Sequence, residues 1–83
     1  MSSTLGTLSY GSAAPIAAVR GDRSFRRRLF ELGFLPGTPV RLLAAAPLGD
    51  PLDVEVRGCR FSLRRAEAAL IEVDPTPALL AAK

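Results

Sequence analysis

The chain contains no histidine and no tryptophan, and it has one cysteine and one methionine in 83 residues. Histidine is the commonest general base and the commonest protein ligand of transition metals, so its absence argues against both catalysis and metal binding. One cysteine cannot form an intramolecular disulfide, and a free thiol suits a reducing compartment. The sequence therefore predicts a cytoplasmic protein that is not an enzyme and that has no metal site and no cofactor.

Other catalytic arrangements are missing as well. Ser24 and Ser62 have no partner base, and no glycine-rich stretch resembles a phosphate-binding loop. No hydrophobic run approaches the roughly 20 apolar residues that a membrane-spanning helix requires. The first fourteen residues do not have the pattern of a secretory signal. We expect any work at a membrane to go through a partner.

The net charge is a modest +3, from eleven basic residues and eight carboxylates. Because acidic and basic residues are interleaved, charge alone identifies no partner. A dedicated nucleic-acid binder would have a larger basic excess, and Phe61 is the only aromatic residue on an alternating strand. The sequence does not favour nucleic acid as a partner, but a basic adaptor that binds it through arginines stays open as an alternative.

One helix is predicted at residues 23–32. An apolar stripe at positions i, i+4 and i+7 is formed by Phe25, Leu29 and Leu32. Asp22 or Ser24 is available as the N-cap, and Gly33 provides the residue that ends the helix.

Five short strands are predicted, at residues 15–19, 40–45, 52–57, 60–63 and 70–73. Gly58 and Cys59 are expected to form the turn of a hairpin, and residues 64–69 a single helical turn. Five short strands are too few for a sandwich, and barrel closure would hide their edges. The predicted fold is mainly β with one short helix, a small and partly open SH3-like barrel. We expect residues 1–83 to form a single domain with a folded core at about 5–74 and a flexible tail at 75–83.

The outer face of the helix is a candidate binding surface. Three arginines face away from the apolar stripe, namely Arg23, Arg26 and Arg27. Phe30 projects among them, and an aromatic anchor in a basic rim is a combination enriched at protein interfaces. The alternative is that the arginines are only a solvated face and that Phe30 folds onto Phe34 or Leu35.

Three segments carry motifs that are specific in combination. They are the pattern RLxELGxxPG within residues 27–37, the run PLGDP within residues 46–52, and FSLRR at residues 61–65. Together they resemble the FeoA family of ferrous-iron transport accessory proteins, over residues 5–73. The resemblance implies an SH3-like fold.

The same resemblance implies a cytoplasmic protein that assists FeoB, the bacterial membrane transporter for Fe(II) with a GTP-binding domain, by protein contact. Such a protein would reach the inner membrane through that partner. Similar domains lie at the carboxy end of the iron-dependent repressors. An adaptor or regulator domain that binds protein or nucleic acid is therefore the alternative. The chain contains neither the winged DNA-binding domain nor the dimerisation domain of those repressors, which places this alternative second.

Docking is expected at the end of the helix and at the turn of residues 34–37, together with the loop of residues 47–51. These are rigid turns flanked by apolar residues, and such loops commonly carry binding. The predicted protein-binding residues are Arg26, Arg27, Phe30, Phe34, Leu35, Pro36, Leu48 and Asp50.

Overall fold

A computed structural model of the chain describes residues 3–74. The elements are β1 (Ser3–Thr4), a 3-10 turn (Leu5–Thr7), β2 (Ala13–Val19), α1 (Arg23–Leu32), β3 (Pro39–Ala45), β4 (Leu52–Val56), β5 (Cys59–Leu63), α2 (Arg65–Ala68) and β6 (Ile71–Val73). The strands form one antiparallel sheet in the order β1-β6-β2-β3-β4-β5. The predicted β-rich architecture with one short helix is confirmed, with six strands rather than five. The predicted tail lies outside the described residues.

Strand β2 is shared by the two halves of the sheet. Its first part, up to Pro15, pairs with β3, whereas its second part, from Ile16 to Val19, pairs with β6. The register shifts between Ile16 and Ala18, and such an irregularity bends a strand and increases its twist. The sheet therefore curves around a single core.

The core is built from alternating strand residues. In β4 the inward residues Leu52, Val54 and Val56 are buried while the residues between them are half-buried, which confirms the predicted alternation. The described residues bury no polar or charged side chain. Leu5 of the 3-10 turn is also fully buried, so the segment before β2 is part of the folded unit. Strand β1 is not predicted from the sequence, because two residues are too few to show a period.

Helix α1 has the predicted bounds and caps. The Asp22 carboxylate accepts a hydrogen bond of 2.8 Å from the Phe25 backbone N–H, and Gly33 ends the helix in the left-handed conformation with φ of 104°. The predicted apolar stripe is only partly buried. Leu29 is fully buried, Phe25 is half-buried and Leu32 is 41% exposed. The helix thus meets the core along one narrow strip.

The turn of the β4–β5 hairpin lies one residue earlier than predicted. Arg57 and Gly58 have φ of 55° and 84°, and two successive left-handed residues are the hairpin turn that matches the twist of the strands. Cys59 is consequently the first residue of β5, paired with Val56, and not part of the turn.

Candidate functional site

The turn that follows α1 is held rigidly against β2. Pro36 and Gly37 occupy its centre, and the Thr38 N–H donates to the Leu35 carbonyl oxygen over 2.9 Å, as expected of a type II turn with Gly37 at φ of 89°. The Gly37 N–H also donates to the Ile16 carbonyl oxygen over 2.7 Å. Leu35 is 40% exposed on this fixed support.

Phe34, in contrast, belongs to the core. It is fully buried, and its ring centroid lies 5.4 Å from that of Phe61 with the planes tilted by 57°. Its backbone N–H donates to the Leu29 carbonyl oxygen over 2.9 Å as the chain leaves α1, and the ring is turned inward. This corrects the expectation that Phe34 is a docking residue, because a fully buried ring has no surface to offer a partner.

The outer face of α1 has a shallow groove of about 360 Å³, which we call the arginine groove. It is lined by Arg23, Arg26, Arg27, Phe30 and Glu31. Phe30 is 40% exposed and lines this groove. The structure therefore places Phe30 among the arginines, as the helical spacing predicts.

The loop of residues 47–51 presents Leu48, which is 96% exposed. Arg65 at the start of α2 braces this loop by donating from its Nε to the Gly49 carbonyl oxygen over 2.8 Å. The Asp50 carboxylate accepts from the Arg65 backbone N–H over 2.9 Å. The Asp50 carboxylate is therefore hydrogen-bonded to α2, and Asp50 is still exposed to solvent.

Helix α2 connects this loop to α1. Glu67 accepts from the Arg28 guanidinium through Oε2 and from the Arg64 backbone N–H through Oε1, both over 2.9 Å. Helix α2 is therefore hydrogen-bonded to α1 through Glu67 and to the loop of residues 47–51 through Arg65.

The structure sorts the predicted residues into three positions around these elements. Arg26, Arg27 and Phe30 come together in the arginine groove, Leu35 and Pro36 lie on the turn beyond α1, and Leu48 and Asp50 lie on the braced loop. The contacts of Arg65 and Glu67 are not predicted from the sequence, because they depend on partners brought close only by folding.

Within residues 3–74 no three histidine, cysteine, aspartate or glutamate side chains are grouped so as to hold a metal ion. In the same range no helix has both the length and the hydropathy needed to cross a membrane. What the site offers is apolar and positively charged surface on rigid supports.

The FeoA domain family model matches residues 3–75. A relative from Porphyromonas gingivalis, described as a fusion of Fe(2+) transport protein A with Fe(2+) transporter FeoB, is 40% identical over 70 residues. The match covers 84% of this chain and 8% of that relative, so the chain spans less than a tenth of the relative's length.

Among solved structures, FeoA proteins are also similar to this chain. The FeoA protein of Chlorobium tepidum is 36% identical with a TM-score of 0.80, covering 86% of this chain and 69% of that one. The FeoA of Stenotrophomonas maltophilia, solved in complex with zinc and described as a prokaryotic SH3 domain protein, is 38% identical with a TM-score of 0.78 over 89% of this chain and 92% of that one. The predicted SH3-like fold is thereby confirmed.

A manganese-dependent transcriptional repressor has the same fold at a TM-score of 0.78, over 88% of this chain and 36% of that one. It is only 20% identical, and at that level the likeness concerns the fold alone.

Proposed function

The chain belongs to the FeoA domain family, whose association is with ferrous-iron transport, and from that premise we propose that it is a non-enzymatic accessory domain acting by contact with a FeoB-type membrane GTPase transporter. The Porphyromonas gingivalis relative supports this proposal, because it is described as a fusion of an FeoA part and a FeoB part in one polypeptide. Linking two modules in one chain greatly raises the effective concentration of each for the other.

One observation carries the choice of surface. The large apolar side chains that are exposed within residues 3–74 are Tyr10, Phe30, Leu32, Leu35 and Leu48. All but Tyr10 lie on α1, on the turn beyond it or on the braced loop. Exposed apolar groups that lie together commonly mark an interaction site, and these four lie on elements that follow one another or are hydrogen-bonded through α2. We place the docking surface there, with the end of α1 and the turn of residues 34–37 as its centre.

Rigidity makes this surface suitable for docking. The turn is bonded to β2 and the loop is bonded to α2, so little conformational freedom remains to be lost on binding. A domain that only makes contacts alters a transporter by binding one of its conformations more tightly than another. In this proposal the domain reaches the membrane through the transporter.

The test is co-purification with a FeoB-type transporter. We expect Phe30→Ala and Leu35→Ala each to weaken binding about tenfold, the loss that accompanies removal of a moderately strong interface anchor. Both side chains are 40% exposed, so thermal melts should show that the variants stay folded.

Tyr10→Ala is the matched control, because it removes an exposed aromatic ring, 62% accessible, from the segment before β2 and not from these elements. It should bind like the wild type. If the wild type captures no transporter, the proposed function is wrong. If the wild type captures the transporter and all three variants bind it equally well, the proposed function stands and the proposed docking surface is wrong.

A further inference from the structure

Four side chains of the arginine groove share one face of α1. Arg23, Arg26, Arg27 and Phe30 stand at positions i, i+3, i+4 and i+7, which is the spacing of a single helical face. Because α1 is a regular helix capped at both ends, this arrangement is held by backbone hydrogen bonds. The helix therefore fixes the backbone positions from which three arginines surround one aromatic ring.

The three groove arginines are not neutralised within the described part of the chain. The ion pairs among residues 3–74 use Arg20, Arg28 and Arg41. Arg28, the next residue after the groove pair, bonds to Glu67 and lies 5.5 Å from the centroid of the Phe25 ring. The groove itself has three arginines and one carboxylate, Glu31, so its formal charge is 3 − 1 = +2.

We propose that the arginine groove binds an acidic segment of a protein partner, which places one apolar side chain against Phe30 and carboxylates against the arginines. The proposal rests on the proposed function only in taking the transporter to be the protein that carries this segment. Guanidinium groups recognise carboxylates through paired hydrogen bonds, and facing charges speed and orient association.

A protein segment fits the groove better than an anionic membrane surface does. Phe30 is 40% exposed between the groove arginines, so only part of its ring is available, whereas a membrane-binding face buries protruding apolar side chains in the bilayer. Glu31 would also be repelled by anionic lipids. A protein partner can place a basic side chain opposite Glu31, which a layer of anionic headgroups cannot do.

The first experiment compares charge reversals in binding to the purified transporter. We expect Arg26→Glu to weaken binding at least tenfold and to make the remaining affinity less sensitive to salt, because rim charges act through screened electrostatics. Arg60→Glu is the control, since Arg60 is exposed on β5 and takes part in no ion pair within residues 3–74. It should change the affinity less than about twofold.

Equal losses from the two reversals would overturn the proposal, because the effect would then reflect net charge and not the groove. A second arm uses vesicles of phosphatidylcholine with and without phosphatidylglycerol. The proposal would also be overturned if the wild type bound the anionic vesicles, and Arg26→Glu abolished that binding but left transporter binding unchanged. The groove would then be assigned to a lipid surface.

A third arm keeps the groove testable if the wild type does not bind the transporter. A synthetic helical peptide with glutamates on both sides of a leucine stripe is titrated into the labelled protein and followed by NMR. We expect shifts of the α1 amides that disappear when the glutamates are replaced by glutamines. Absence of chemical-shift changes at α1, or equal changes with both peptides, would refute the proposed binding role of the arginine groove. The proposed function is tested separately, by whether the wild type binds the transporter.

Discussion

At the scale of single residues, two neighbours in one motif have opposite roles. Phe34 is fully buried against Phe61, while Leu35 is 40% exposed on the turn. The change of direction follows the left-handed cap at Gly33, where the backbone leaves the helix. Phe34 therefore contributes to stability and Leu35 to the surface available for contact.

Phe34→Ala should lower the free energy of unfolding of the domain much more than Phe30→Ala does. Removing a fully buried phenylalanine costs about 3–5 kcal/mol, a large part of the stability of a domain this small. Phe30→Ala removes the same side chain from an exposed site and should cost less than about 1 kcal/mol. Urea unfolding of both variants measures the difference. Similar midpoints for the two would mean that Phe34 is not a core residue.

At the scale of elements, the four-residue helix α2 is stabilised by contacts from outside it. Glu67 serves both α2 and α1, because its two oxygens accept from the Arg64 backbone and from Arg28. Its side chain is 27% exposed and that of Arg28 is 58% exposed, so the ion pair is partly screened by water. The backbone bond is therefore expected to matter at least as much as the ion pair.

Glu67→Ala should destabilise the domain by about 1–2 kcal/mol, since it removes a capping interaction and an ion pair. Glu67→Gln should cost less, because the amide oxygen still accepts from the Arg64 N–H. Arg28→Ala tests the ion pair from its other side. Chemical denaturation gives the three values. A Glu67→Gln variant as unstable as Glu67→Ala would show that the charge, and not the cap, is what matters.

At the scale of the whole molecule, one ion pair joins the end of β2 to the last strand. The Arg20 Nε lies 2.8 Å from Glu72 Oε2. The hydrogen bonds from Arg20 hold the pKa of the Glu72 carboxyl below its ordinary value of 4.5, against a smaller opposing effect of desolvation. The same contact raises the pKa of Arg20, which stays charged throughout the acidic range.

Acid should weaken the domain through this pair. Because the pKa of Glu72 is lowered by folding, its contribution is fully present above pH 4.5 and is lost as the pH falls through the lower, folded-state value. Stability measured by urea unfolding between about pH 7 and about pH 3 should fall less steeply in Glu72→Gln than in the wild type. Glu31→Gln is the control, since Glu31 is in none of the ion pairs within residues 3–74. Identical slopes for the wild type and Glu72→Gln would contradict this assignment.

Much of the architecture could be predicted from local signals. The cap at Asp22, the end at Gly33 and the alternation in β4 depend on residues close in the chain, and the structure confirms them. The grouping of Arg26, Arg27 and Phe30 was predictable for the same reason, because helical geometry alone places residues three and four apart side by side. The type of each longer element and the composition of the arginine groove were therefore accessible without coordinates.

Folding decided the features that depend on distant partners. Among Arg26, Arg27 and Arg28, only Arg28 is paired within the described residues, through Glu67, which lies 39 positions further along the chain. No local pattern distinguishes these three arginines, and none predicts that Phe34 turns inward while Leu32 stays exposed. Those outcomes depend on which surfaces the curved sheet brings together, since burial and ion pairing are properties of contacts between segments far apart in sequence.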